Sequence, residues 1–483
     1  MTESKGDIVR NVPFLEKEGT MRTLIRNGTV VTSVNEYEAD IYIEDGIIKE
    51  VGKNISRDAE EIIHAEGKLI FPGGVDEHVH YGSFGGRLFE TTDAAAAGGT
   101  TTIVDFAPQE KGVPLIDAIK KQAAKAQGTA CVDFAFHGII MDPKESVFEE
   151  IAQLPEVGVS TLKLFMAYKG TDFYSDDESI LKAMMKAREC GVTMMVHAEN
   201  ADIINVLQKK YLAEGHTEPV YHYYSRPPVA EEEATKRAIA LARTADCPLY
   251  VVHVSVKEAM EAIREAYTQG YPVFGETCTH YLTLTTEYLA KPDFEGAKYV
   301  CAPPLRPQKH VDALWEAVQK GWLQAVGSDH CALEGGFETK KKGLGDFTKI
   351  PNGCPGVQDR LAMLWTEGVC KGRITRQKFI ELFATMPAKV VGLYPQKGEI
   401  TAGSDADLVI FDPDYEGVIR NEDSLHGIDY SPFEGFPVKG RPEQVYLRGK
   451  KIAENGRFIG PKGEGKWQKC RPYAMCYDYF SLN

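Results

Sequence analysis

Short apolar runs alternate along the middle of the chain with stretches of helical periodicity. Runs rich in β-branched and aromatic residues begin near Leu69, Thr100, Cys131, Thr161, Thr193, Leu249, Pro272 and Leu323. Their length suits strands buried on both faces. Between most of them apolar residues recur every three or four positions, over 115–127, 146–154, 179–190, 231–244, 257–268 and 310–320, which predicts amphipathic helices. Gly128, Gly191, Gly270 and Gly321 follow several of these as C-terminal stops. Eight such alternations predict an α/β fold with a (β/α)8, TIM-like barrel. The competing pattern, an open doubly wound sheet, lacks support because no GxGxxG fingerprint follows the first strand. Residues 358–369 and 376–391 read as two more helices closing the barrel.

The two ends of the chain have a strand period instead. β-rich runs between residues 23 and 52 are separated by Asn27-Gly28 and Asp45-Gly46, both hairpin signals. Residues 405–412 and 444–452 look similar. The simplest arrangement is one β-sandwich built from both chain ends, with the barrel inserted between them. The expected division is an N-terminal extension over 1–22, sandwich over 23–72 and 398–459, barrel over 73–397 and a tail over 460–483. The tail carries Trp467, Tyr473, Tyr477, Tyr479 and Phe480 and is expected to form an oligomer contact.

A length of 483 residues suits a barrel plus a smaller module. The formal net charge of -15 argues against a nucleic-acid or anionic-membrane partner. No apolar run approaches the roughly 20 residues of a membrane span, and residues 1–20 hold no apolar signal core, so a cytoplasmic enzyme is expected. The 10 cysteines are scattered without CxxC pairs and read as reduced thiols. Cys470 and Cys476 are the candidates for an exception.

Chemistry-bearing residues stand near the ends of the strand runs, where a parallel barrel builds its active site. His78 and His80 lie two apart, so both project to one side of a strand and can share a metal. His197 and His253 end two later runs, and four imidazoles at one mouth suit zinc or a similar divalent ion. Asp329, in Gly327-Ser328-Asp329-His330, could be a ligand, a general base or a helix N-cap; beside a metal, ligand and proton shuttle is the reading adopted. His280 and His330 read as supporting or structural groups. Lys163 taken alone is an ordinary lysine, paired with an acid or pointing outward on an edge. Buried among metal ligands, its charged form would be disfavoured, and a neutral amine can take up carbon dioxide as a carbamate that bridges two cations. Lys169, past the strand end, is expected to be exposed. Tyr168 could donate to an oxyanion, although a core tyrosine is the default for such a position.

The segments Asp76-x-His78-x-His80, Lys163-x-Phe165-Met166-Ala167-Tyr168-Lys169, His197-Ala198-Glu199-Asn200, His253-Val254-Ser255, Pro303-Pro304-Leu305-Arg306 and Gly327-Ser328-Asp329-His330-Cys331 resemble the dihydropyrimidinase/D-hydantoinase family of cyclic amidohydrolases. The resemblance spans roughly residues 23–460 and implies a dinuclear centre, usually zinc, bridged by carboxylated Lys163. One ion would be held by His78, His80 and Asp329 and the other by His197 and His253. It further implies that Tyr168 and the backbone of Asn352 contact a small cyclic ureide substrate, and that the enzyme is a homotetramer or dimer. The implied reaction is metal-dependent hydrolysis of a dihydropyrimidine or 5-substituted hydantoin to an N-carbamoyl amino acid, with Asp329 as base and then acid.

The chain departs from the family pattern in places. Glu77 and Val79 replace the usual Pro and Thr, and neither is a ligand. Ala302 replaces the usual substrate-binding Ser, a contact that a backbone group can still make. Residues 81–89 are atypical, with Phe84 and Leu88 placed to shape the pocket for the exocyclic substituent. Dihydroorotase-like enzymes usually carry an Arg where Gly82 stands. Allantoinase is a closer rival. A non-catalytic scaffold resembling the collapsin response mediator proteins is the different-class alternative, but those proteins have lost metal ligands that are present here.

Overall fold

A computed structural model describes residues 21–472. Most of the N-terminal extension, together with Tyr473, Cys476, Tyr477, Tyr479 and Phe480, lies outside the described residues.

The chain begins with β1 (Arg22–Val31), β2 (Glu36–Glu44), β3 (Ile47–Gly52), β4 (Glu61–His64) and β5 (Leu69–Pro72). Eight parallel strands follow: β6 (Gly74–Val79), β7 (Thr100–Pro108), β8 (Asp133–Ile139), β9 (Thr161–Phe165), β10 (Thr193–His197), β11 (Leu249–Val251), β12 (Val273–Cys278) and β13 (Ala325–Gly327). They pair in sequence order from β6 to β13. A parallel bridge from Val79 to His330, with the His80 N–H donating to the His330 carbonyl at 2.7 Å, brings the first strand against the last. The barrel expected from the apolar spacing is therefore present.

The last strands, β14 (Leu408–Val418), β15 (Pro437–Leu447), β16 (Lys450–Glu454) and β17 (Arg457–Phe458), join the first five in one mixed nine-stranded sheet. The join is β5, which pairs parallel to β1 and antiparallel to β14. Ile25, Ile41, Ile43, Ile70, Leu408 and Ile410 from both chain ends share one apolar core.

Two sequence expectations are corrected here. The apolar run from Leu69 is two strands, not one. The Gly73 N–H bonds Asp407 in the sheet, whereas the Gly74 N–H bonds Gly99 at the barrel. Both glycines are needed for close approach, because a Cβ on Gly73 would lie 2.2 Å from Thr101 and one on Gly74 would lie 2.3 Å from Phe383. Asn27-Gly28 is a bulge inside β1 rather than a hairpin. The Asn27 N–H is held by Asp40 at 3.0 Å, and Gly28 makes room for Ile70. Asp45-Gly46 does form the expected two-residue turn, with φ of 52° and 77°.

The barrel helices include Leu115–Ala126, Asp177–Cys190, Pro228–Ala245, Lys257–Thr268 and Gln308–Lys320. The run near 146–154 breaks into short turns from Glu145 onward. The two closing helices each contain a widened π turn, at Trp365–Cys370 and Glu381–Thr385. No helix among the described residues is long and apolar enough to cross a membrane.

At the barrel's N-terminal end, the buried Lys397 ammonium meets Asp133 at 2.6 Å and Asp405 and Asp407 at 2.8 Å, and Arg448 also pairs with Asp133. This cluster ties the start of β8 to the terminal sheet. Beside it, the described part of the tail packs on its own chain. The Phe134 N–H donates to Lys466, the Gln468 N–H donates to Phe134, and Trp467 lies against Phe136 at 5.8 Å. The nine described cysteines are unpaired, including Cys470, which is buried.

Candidate metal centre and substrate cavity

All eight strands direct their C-terminal ends to one mouth, and the candidate ligands arrive there from five of them. His78 lies on β6 with His80 just beyond it, Lys163 lies in β9, and His197 ends β10. His253 and Asp329 each stand two residues past a strand, β11 and β13. His80 Nε2 is 3.1 Å from Asp329 Oδ1, and His78 Nε2 is 3.3 Å from the same oxygen. Lys163 Nζ is 3.3 Å from His78 Nε2. On the other side, His197 Nδ1 and His253 Nε2 are 2.9 Å apart, and the rings of His78 and His253 are separated by 5.3 Å.

These residues fit a metal. A tetrahedral ion with donors at ~2.0–2.1 Å has donor–donor edges of ~3.3 Å, and Asp329 Oδ1 stands at about that spacing from both His78 Nε2 and His80 Nε2. Among the described residues this trio has ligand atoms that all lie within 4.8 Å of one another. The imidazoles are in the right protonation state for ligands. Burial pushes all four below the usual histidine value, most strongly for His78 and His253. Each pair also has a carboxylate behind it, which orients the ring as metal-bound histidines require. His78 Nδ1 is bonded to Glu276, which also accepts from the His253 N–H at 3.1 Å and the Tyr250 hydroxyl at 3.2 Å. His197 Nε2 donates to Glu199 at 2.7 Å, and Arg226 donates to the same Glu199 oxygen at 2.5 Å.

Lys163 is fully enclosed. Its Nζ lies 4.2 Å from the Phe106 ring centre and 5.0 Å from that of Phe165, and no carboxylate among the described residues is within ion-pairing distance. Burial lowers its ammonium to about 8, which enlarges the share of the neutral amine that carbamate formation needs. Burial would raise the Asp329 carboxyl, but the His80 hydrogen bond and charge outweigh it and leave it below the usual value. Burial raises the Tyr168 phenol, which keeps it a proton donor.

Three of these residues hold left-handed backbone: Tyr168 (φ 65°), His253 (φ 42°) and Asp329 (φ 46°). Such strain in non-glycine residues concentrates where side chains must be aimed.

The ligands open into a cavity of about 380 Å³. Lys163, Tyr168, Ala302, Asn352 and Asp329 all line it, with Phe84, Phe165 and Phe173 forming an apolar wall. The Asn352 amide reaches the Tyr168 hydroxyl at 3.5 Å. Every residue expected from the sequence at the metal or the substrate is thus at one place. Leu88 is the exception in the 81–89 loop. It is exposed, whereas Phe84 alone of the two lines the cavity and lies 4.9 Å from the His80 ring. Lys169 is exposed and paired with Asp202 at 2.9 Å. His330 accepts from the Gly356 N–H through Nδ1 and packs on Tyr81. Glu199, Glu276 and Arg226 were not singled out from the sequence. Glu199 had a signal, its place two residues past His197; Glu276 and Arg226 are brought in only by folding.

Four imidazoles, a carboxylate and a desolvated lysine at the strand ends of a parallel barrel define a metal-dependent barrel enzyme. A model of the amidohydrolase family matches residues 69–452. The D-hydantoinase of Geobacillus stearothermophilus is 48% identical over 462 residues, covering 94% of this chain and 98% of that one. The crystal structure of dihydropyrimidinase from Brevibacillus agri NCHU1002 is similar with a TM-score of 0.92 at 46% identity, covering 94% of this chain and 100% of that one. The L-hydantoinase of Arthrobacter aurescens is more distant, with a TM-score of 0.85 at 33% identity over 92% and 99% of the two chains. The chain belongs to the amidohydrolase family, among the hydantoinases and dihydropyrimidinases.

Proposed function

We propose that this protein hydrolyses the cyclic amide bond of 5-substituted hydantoins and dihydropyrimidines, giving N-carbamoyl α- or β-amino acids. The observation that carries this reading is the convergence of His78, His80, Asp329 and the desolvated Lys163 on one cavity, in a chain similar to D-hydantoinases over 94% of its length. His78, His80 and Asp329 would hold one divalent ion, His197 and His253 a second, with carboxylated Lys163 between them. Zinc suits this imidazole-rich set. Bound there, the ions supply Lewis acidity that activates water and polarises the carbonyl.

The chain's own groups do the rest. Tyr168 donates its phenol proton in a hydrogen bond to the oxygen that gains charge. Asp329 accepts a proton from the attacking water and returns it to the ring nitrogen as the C–N bond breaks. Asn352 and Ala302 hold the ring, and the Phe84, Phe165 and Phe173 wall excludes water and receives the exocyclic substituent.

The lining also separates this reading from a dihydroorotase. The described cavity lining holds no arginine and no lysine besides Lys163, which carboxylation would make anionic, so a substrate carboxylate would find no side-chain cation. The nine described cysteines are unpaired, which supports a cytoplasmic location. A homotetramer or dimer is proposed on the family resemblance. The test is turnover of dihydrouracil, 5-substituted hydantoins, allantoin and dihydroorotate, with and without chelator. Metal-dependent opening of the first two supports the reading. Preference for allantoin, or an intact chain that binds no metal and turns over none of the four, overturns it.

A further inference from the structure

The wall of the cavity that carries Ala302 and Asn352 is two loop segments lying side by side, and a single buried ammonium joins them. Lys340 ends the short helix Gly336–Lys340 and is fully buried. Its Nζ donates to the Val300 carbonyl at 2.8 Å, the Pro351 carbonyl at 2.8 Å and the Gly353 carbonyl at 2.7 Å. Three acceptors at that distance need three N–H groups, so the group is an ammonium with every proton committed. Among the described residues it has no carboxylate partner. A buried cation with no counter-ion is costly unless its hydrogen bonds are needed where they are.

We propose that Lys340 is a positioning residue that presents the Asn352 backbone to the substrate ring. Asn352 lies between the two carbonyls that Lys340 holds. The Pro351–Asn352 peptide is trans, so its N–H points opposite to the clamped Pro351 carbonyl. The next peptide is fixed in the same way, because the Gly353 N–H donates to Val300 at 3.1 Å and turns the Asn352 carbonyl away from Val300. A donor and an acceptor are therefore set side by side, facing away from Lys340. Among the described residues neither has a hydrogen-bond partner, and Asn352 lines the cavity. That pair complements the N–H and C=O of a cyclic ureide edge. Gly353 allows the turn, since its φ is 125° and a Cβ there would lie 2.8 Å from Cys331. Because Val300 accepts from both Lys340 and Gly353, the same ammonium fixes the segment that leads to Ala302. This inference rests on the hydrolase reading given above.

The experiment compares the metal-loaded wild-type chain with Lys340→Met and Lys340→Gln on dihydrouracil and a 5-substituted hydantoin. The Met variant is expected to raise KM at least tenfold on both substrates. Its kcat should fall by a smaller factor, and its metal content should be unchanged because no ligand is touched. Gln restores part of the donor set and should give an intermediate KM. If the Met variant does not fold, the Gln variant is read alone: a KM raised threefold or more supports the role, and an unchanged KM overturns it. A folded Met variant with KM within twofold of wild type, or with kcat lowered and KM unchanged, also overturns it. If the wild-type chain turns over neither substrate, the hydrolase reading fails and this inference falls with it; wild-type turnover with an unchanged KM in the variants sinks the Lys340 role alone.

Discussion

Replacing Glu199 by Gln isolates what a buried charge contributes behind the metal ligands. Glu199 Oε2 accepts from His197 Nε2 at 2.7 Å and from Arg226 Nη1 at 2.5 Å. A glutamine with its amide oxygen at that position keeps both hydrogen bonds and the volume, and loses only the charge. The His197 bond becomes an ordinary one and the Arg226 ion pair becomes a bond from a charged donor to a neutral acceptor, each weaker by roughly 1–1.5 kcal/mol, for a loss of roughly 2–3 kcal/mol. The carboxyl itself gives a similar figure. Burial would raise it, but Arg226 and His197 hold it at about 2, which corresponds to roughly 3 kcal/mol relative to an ordinary glutamate. A depressed carboxyl stabilises the fold above its ordinary value and stops doing so as the pH falls toward its folded value. The difference between Glu199→Gln and wild type should therefore be full at neutral pH and shrink below about pH 4.5. His197 also loses the carboxylate that orients it and raises its basicity, which should weaken metal retention ~10–100-fold. Urea unfolding across pH and elemental analysis after dialysis against graded chelator read the two effects. Wild-type urea and chelator midpoints in a folded Glu199→Gln chain would refute the reasoning.

Two further outcomes are expected. Tyr168→Phe should lower kcat ~10²-fold or more, with KM changed only a few-fold and metal content unchanged, because the phenol serves the charge that develops during reaction; steady-state kinetics with elemental analysis checks this. Lys163 reacts with carbon dioxide as the neutral amine, and its ammonium sits at about 8, so its neutral fraction rises with pH. At fixed dissolved carbon dioxide, uptake by metal-free protein should be about 20–30-fold faster at about pH 8.5 than at about pH 6.5, and isotope-labelled carbon dioxide measures it; a flat profile contradicts the placement of Lys163.

The fold was legible wherever one residue's environment follows from its neighbours in sequence. Helix Lys257–Thr268 matches its apolar period, and the HxH spacing placed His78 and His80 together because a strand alternates its faces. What depends on distant partners was not legible. The break at Gly73 is set by Thr101 and Phe383, which pack against that bend only in the folded chain. Asn27-Gly28 has hairpin composition, but Asp40 and Ile70 make it a bulge. At the site, ligand types and strand ends could be read, whereas Glu276 behind His78 joins residues 198 positions apart. The left-handed backbone of Tyr168, His253 and Asp329 has no glycine to announce it.

The most direct test is a crystallographic map of the purified protein with anomalous scattering, centred on Lys163 Nζ. Two anomalous peaks should appear, one against His78, His80 and Asp329 and one against His197 and His253, with a planar three-atom extension of the lysine reaching both. A bare lysine side chain with no anomalous peak beside it, in protein that opens cyclic ureides at full rate, would contradict the assignment of this mouth as a carbamate-bridged metal centre.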